Sequence, residues 1–252
     1  MKDMVIIMEY VYIDGEKIAI DTNRDSLGWG INGDSYCAQM GDRLLSVKIY
    51  HSEEEPLENL YYYPDEKTLS KFIELAPFVK PILLSQFLVT DEEGHYIGCA
   101  RDYIKPSYPN TTEALFAIPR EKALQYFYAI EEKIPVFDKN GILLFDWHNG
   151  NAMLGTIQQE PEQLYVFDDT CYSMYASRQK NNYIELRRLV ESFVDDFLLQ
   201  NNSDGYIHDI IMQKIYAQYR PLSFLENVSK QQDTLGDGIL QYVKKLNNRY
   251  NE

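Results

Sequence analysis

The sequence is poor in cysteine and in basic residues, and it has no long apolar run. Its three cysteines, Cys37, Cys99 and Cys171, are an odd number with no C-x-x-C spacing. Neither a disulfide framework nor a zinc ribbon is expected, and free thiols in a reducing cytoplasm are the simple reading. Lys and Arg number 24 against 39 Asp and Glu, for a net charge of −15. Binding a polyanion needs a basic face, so nonspecific contact with DNA or RNA is not expected. The same charge argues against docking on anionic membrane surfaces. No stretch approaches the roughly 20 apolar residues that span a bilayer. Residues 1–10 carry Asp3 and Glu9 and lack a basic segment followed by an apolar one, so no signal peptide is read there.

What is present is ample for a folded protein. The chain has 252 residues, 45% hydrophobic and 25% charged. That suits one large domain, or two small lobes around a shared cleft, with a real core. The patterning changes character once. From Val5 to about Tyr103 it is rich in strand signals, with Asp14-Gly15 and Gly41-Asp42 as two hairpin turns. One helix is expected there, over Asp65 to Leu75, with Pro64 as its start signal. Phe87–Thr90 and Tyr96–Cys99 are expected as two further strands. After Pro106 helical periods dominate, over Arg120–Lys133, Tyr183–Gln200, Asp209–Tyr219 and Ile239–Leu246. Three short apolar runs between the first two of these, Ile142–Phe145, Ala152–Leu154 and Leu164–Phe167, suit small buried strands. The outline is a mostly β segment over 1–105, then a mostly α segment over 106–252.

Several positions can carry chemistry, each with a plainer alternative. Gly28-Trp29-Gly30-Ile31-Asn32-Gly33 spells G-x-G-x-x-G. A dinucleotide-binding turn would open a helix, whereas a strand is expected here at Tyr36–Met40. A loop joining two strands fits a glycine flap whose amides approach phosphate, or an ordinary turn. Lys48 lies between Val47 and Ile49, so its ammonium points to the face opposite theirs. Exposed strand lysines are the commonest kind. Glu66 could orient Lys48, or be a solvated helix carboxylate like its competitors Glu58 and Glu74. Asp146-Trp147-His148-Asn149-Gly150-Asn151 reads D-x-H-x-G-N. Asp and Asn five apart on a tight turn can converge, one to take a proton and the other to ligate a metal. Such residues also make ordinary surface turns. Asp168 and Asp169 close the third apolar run, as ligands for a hard cation or as turn caps.

The order of these motifs resembles the protein-kinase-like superfamily, over roughly Ser26 to Phe197. The resemblance implies an α+β, bilobal fold, with a β-rich N-lobe holding one helix and an α-rich C-lobe. It implies ATP and Mg2+ as cofactors and an ATP-dependent transfer to a hydroxyl on a protein or small molecule. By position, Gly28, Gly30 and Gly33 match the glycine-rich loop, Lys48 the phosphate-contacting lysine and Glu66 its glutamate partner. Asp146 matches the catalytic aspartate, Asn151 the metal-binding asparagine and Asp168 the metal aspartate. Gly98–Tyr103, including Ala100 and Asp102, takes the place of the hinge facing adenine. Leu144-Phe145 stands where most protein kinases have His-Arg, and Asp169-Thr170 stands where they have Phe-Gly. The D-x-H-x-G-N loop looks more like the small-molecule phosphotransferase version. A pseudokinase acting as a scaffold, and nucleotidyl transfer at the same site, are the alternatives.

Overall fold

A computed structural model describes residues 8–22, 24–30, 33–51, 66–144, 146–167, 172–173, 182–201, 203, 205–218 and 220–250. The fold is α+β, and the chain divides into two compact units. The first comprises residues 1–105 with 156–161 and 168–172. The second comprises 106–155, 162–167 and 173–252.

The first unit is built on seven strands: β1 (Met8–Ile13), β2 (Glu16–Asp21), β3 (Ser26–Gly30), β4 (Gly33–Met40), β5 (Arg43–Tyr50), β6 (Phe87–Thr90) and β7 (Tyr96–Asp102). Their order across the sheet is β2-β1-β6-β7-β5-β4-β3, and every neighbouring pair is antiparallel. Both expected two-residue turns are there. Ile13 pairs with Glu16 across Asp14-Gly15, and Met40 pairs with Arg43 across Gly41-Asp42. Alternation then puts Val11, Ile13, Ile18, Ile20, Ala38, Leu45, Val47, Val89 and Ala100 into one apolar cluster. The helix of this unit, α1 (Glu66–Val79), runs four residues past the expected end at Leu75 and buries Leu69, Phe72 and Val79.

Two expectations shift here. The glycine motif, expected as a loop joining two strands, is itself largely strand, because Gly28 lies within β3, Gly30 ends it and Gly33 opens β4. Strand pairing continues as far as Gly30, which faces Gly33. Gly33 is required by close approach, since a Cβ there would lie 2.9 Å from the Ile49 carbonyl carbon. The second shift is at β7, which continues beyond Cys99 to Asp102, flanked by β5 and β6.

The chain passes from the first unit to the second at β8 (Lys105–Pro106). The second unit holds α2 (Thr111–Ala117), α3 (Arg120–Glu131), α4 (Ile134–Lys139), β9 (Leu143–Leu144), all but the last residue of β10 (Ala152–Thr156), and β11 (Gln163–Val166). After β12 (Tyr172–Ser173) come α5 (Asn182–Gln200), α6 (Gly205–Tyr216), α7 (Ser223–Val228) and α8 (Leu235–Tyr250). The apolar period of α5 buries Leu186, Leu189, Val190, Phe193, Val194, Phe197 and Leu198. Phe193 meets Phe127 of α3 edge-on, and Phe197 stacks on Phe116 of α2 at 4.5 Å. The β10–β11 hairpin is tied to α3 by Glu162, which accepts from the Tyr126 hydroxyl and the Lys122 ammonium, each at 2.8 Å. Among the described residues, no helix is long and apolar enough to cross a membrane.

Candidate functional site

The described residues between Leu144 and Asn151 include both buried and exposed positions. Leu144 and Trp147 are each 2% exposed, so they anchor the backbone in the core. Asp146, between them, is exposed and takes a left-handed backbone with φ of 64°. Among residues with side chains, Asp tolerates that region better than most, though at a cost in strain. The Asn151 amide donates from Nδ2 to the Asp146 carbonyl oxygen at 3.0 Å and lies 3.4 Å from Asp146 Oδ2. Asp146 and Asn151, paired on sequence spacing alone, therefore do come together. The Phe167 N–H donates to the Asn151 carbonyl at 2.9 Å, which ties the end of β11 to the loop. Asp168 and Asp169 follow Phe167 and lie outside the described residues.

One face of α5 holds this loop. Asn182, only 1% exposed, accepts the Leu144 N–H at 2.9 Å and donates to the Ile142 carbonyl at 2.9 Å and to Asp138 at 2.8 Å. Glu185 accepts the Trp147 N–H. Ser192 accepts the Asn149 N–H at 2.8 Å, and Asp196 accepts from the Asn149 side chain at 3.1 Å. The spacings 182, 185, 192 and 196 fall on one side of a helix with 3.6 residues per turn. These four polar residues were not singled out in the sequence. The apolar period of α5 was legible there, but that polar side chains would be turned against a neighbouring loop was not.

Glu185 carries a perturbed carboxyl. Its side chain is 4% exposed, its Oε1 meets Arg188 at 2.8 Å, and its Oε2 is buried without a hydrogen-bond partner among the described residues. Burial pushes its carboxyl above the usual range, against the pull of Arg188 and of the Trp147 amide, and the Asp146 charge adds to the rise. A raised folded-state value means that the folded protein holds this proton more tightly than the unfolded chain. The stability it contributes is complete below the ordinary carboxylate range, about pH 4, and is lost as pH rises through the raised value. Glu185→Gln is neutral at every pH and can still accept the Trp147 amide. In urea titrations between acid and neutral pH, the variant's midpoint should gain on the wild type's as pH rises. Parallel curves would mean that Glu185 does not titrate in that window.

In the first unit, Lys48 sits on β5 between Ser35 of β4 and Cys99 of β7. Its neighbour Val47 is fully buried in the sheet cluster, so alternation puts Lys48 on the other face. Glu66 is the first residue of α1, and its side chain lies outside the described residues, so its pairing with Lys48 does too. Ala100 and Asp102 sit differently from an adenine-facing hinge. Ala100 belongs to the apolar cluster on the Val47 face, and its carbonyl accepts the Gln86 N–H at 2.8 Å. The Asp102 carboxylate is occupied by Arg43 at 2.7 Å and by the Gln86 side chain at 3.0 Å. The physical reason is the length of β7, which runs on to Asp102: both residues belong to the strand, and their alternation follows Val47 rather than Lys48.

No family model and no curated protein matches the chain. A solved structure similar to it is that of the PknI kinase domain from Mycobacterium tuberculosis, determined as a double mutant. The identity is 13% and the TM-score 0.49, covering 87% of this chain and 96% of that one.

Proposed function

We propose that the chain is an ATP- and Mg2+-dependent phosphotransferase of protein-kinase-like type, acting on a hydroxyl of a protein or a small molecule. The observation that carries this reading is the loop of Asp146 and Asn151. An exposed carboxylate in a left-handed conformation is tied to an asparagine five residues on, and the loop backbone is pinned along one helix face. Phosphoryl transfer asks the protein mainly for positioning and charge neutralisation, and this loop is built for the first.

Each residue has a role in that chemistry. Asn151 spends its Nδ2 on Asp146, and its amide oxygen is a donor of the kind a hard cation takes. Asn151 and Asp168 would hold Mg2+, which supplies neutralisation of phosphate charge. The backbone of the Gly28, Gly30 and Gly33 hairpin and the Lys48 ammonium would hold the phosphates of ATP, with Glu66 orienting Lys48. Asp146 accepts the proton of the acceptor hydroxyl as that oxygen bonds to phosphorus and the bond to the ADP leaving group breaks.

The test is incubation with labelled ATP and Mg2+ in a cell extract, followed by separation of labelled protein from labelled small metabolites. Label is expected in one of the two fractions, with release of ADP. Binding of ATP with no ADP released would overturn the reading in favour of a nucleotide-binding scaffold. Transfer of a nucleotidyl group, visible in the product mass, would overturn it in favour of that other chemistry.

A further inference from the structure

His148 caps the short helical turn Asn149–Asn151, and its Nδ1 accepts the Gly150 N–H at 3.0 Å. A ring nitrogen can accept only if it carries no proton, so the neutral ring holds its proton on Nε2. Gly150 makes this placement possible. A Cβ there would lie 2.8 Å from His148 Cε1 and 3.0 Å from Nδ1, closer than packing allows. The motif H-x-G is thus one unit, in which the glycine gives the imidazole its seat and fixes its tautomer.

The Nε2–H has its own neighbour. It lies 3.7 Å from Asp146 Oδ2, beyond hydrogen-bond length in this state. Catalytic contacts are commonly long in the free enzyme and close when substrate binds. Asn151 Nδ2 approaches the same Oδ2 at 3.4 Å. Among the described residues, no hydrogen bond reaches Oδ1. Both donors therefore gather on one carboxylate oxygen and leave the other for the incoming hydroxyl.

We propose that His148 is a positioning residue for Asp146: its Nε2–H draws in Oδ2 and so turns Oδ1 toward the acceptor. This rests on the phosphotransfer reading of Asp146. The competing role is capping alone. Two substitutions separate the roles, because an Asn amide overlays the Nδ1 side of imidazole and a Gln amide reaches the Nε2 side. His148→Asn keeps the cap and loses the donor, whereas His148→Gln keeps the donor and loses the cap.

The readout is ATP hydrolysis with Mg2+, in which water stands as the acceptor, together with the unfolding midpoint of each variant. His148→Asn is expected to keep the wild-type midpoint and the KM for ATP while kcat falls roughly 100-fold, the scale of a small misplacement of a reacting group. His148→Gln is expected to keep most of kcat at some loss of midpoint. The reverse order, with Asn active and Gln impaired, would overturn the proposal in favour of capping. Nitrogen-15 spectra of the wild-type ring give a second, activity-independent reading. An unprotonated Nδ1 and a protonated Nε2 are expected for the neutral ring, and the opposite tautomer would overturn the assignment whatever the turnover. A wild-type protein with the expected tautomer that neither hydrolyses ATP nor passes its phosphate to any acceptor in cell extract would instead overturn the phosphotransfer reading, and with it the role of His148.

Discussion

Asp146→Asn is expected to abolish transfer while leaving ATP affinity nearly intact. The carboxylate would face the acceptor hydroxyl and not the nucleotide, so its loss removes a positioned base, a change that typically costs 10²–10⁴-fold in rate. The amide is close in shape, and the position is exposed, so the fold has little reason to change. The left-handed backbone also survives, because Asn tolerates that region as readily as Asp. A fall in kcat with an unchanged KM for ATP is the pattern of a group that acts only in the transition state. Full turnover in the variant would mean that the loop has been assigned the wrong chemistry.

The second large effect falls on stability and reaches activity through it. Asn182→Leu fills a site that is almost fully buried with a side chain that can make none of the native hydrogen bonds. The Leu144 N–H and the Ile142 carbonyl would both lose their partner, and Asp138 would lose a donor. Leaving a buried backbone group unsatisfied costs about 1–3 kcal/mol, so two of them take a large share of a typical stability of about 5–15 kcal/mol. A lowered urea midpoint is expected, with ATP turnover reduced further than the folded fraction alone explains, because the residues before Asp146 lose their anchor. An unchanged midpoint would show that water replaces the amide without cost.

Much of this could be read in the residues, and the rest fails for local reasons. The hairpins at Asp14-Gly15 and Gly41-Asp42 were legible because turn chemistry and strand alternation agree there. The start of α8 was not, because Gly236 and Gly238 dilute the apolar period. Thr234 begins the helix all the same, accepting the Asp237 N–H at 3.0 Å as a cap. Helix α2 is seven residues long, too short for a period to declare itself, yet Asn110 caps it by accepting the Glu113 N–H at 3.0 Å. An Asn followed three residues later by Glu was the signal to find.

The site divides the same way. The spacing of Asp146 and Asn151 carried enough information to pair them, since five residues around a glycine turn leave few alternatives. The α5 anchors did not, because a polar residue in an amphipathic helix reads as solvated whether it meets water or a neighbouring loop. Ala100 and Asp102 came from the family resemblance and not from pattern. Arg43 and Gln86, which allow an aspartate to end a buried strand, are distant in sequence and could not have been read locally.

The division of the chain has a consequence for its synthesis. Residues 156–161 belong to the first unit, and Glu160 there meets the Lys80 ammonium at 2.6 Å. A ribosome moving at roughly 5–20 residues per second takes several seconds to pass from residue 105 to residue 161. Throughout that interval the seven-stranded sheet has all its strands and still lacks part of the unit it belongs to. The first unit is therefore finished only when much of the second has emerged. A gene cut at residue 105 would give a fragment missing native contacts however well its strands pair.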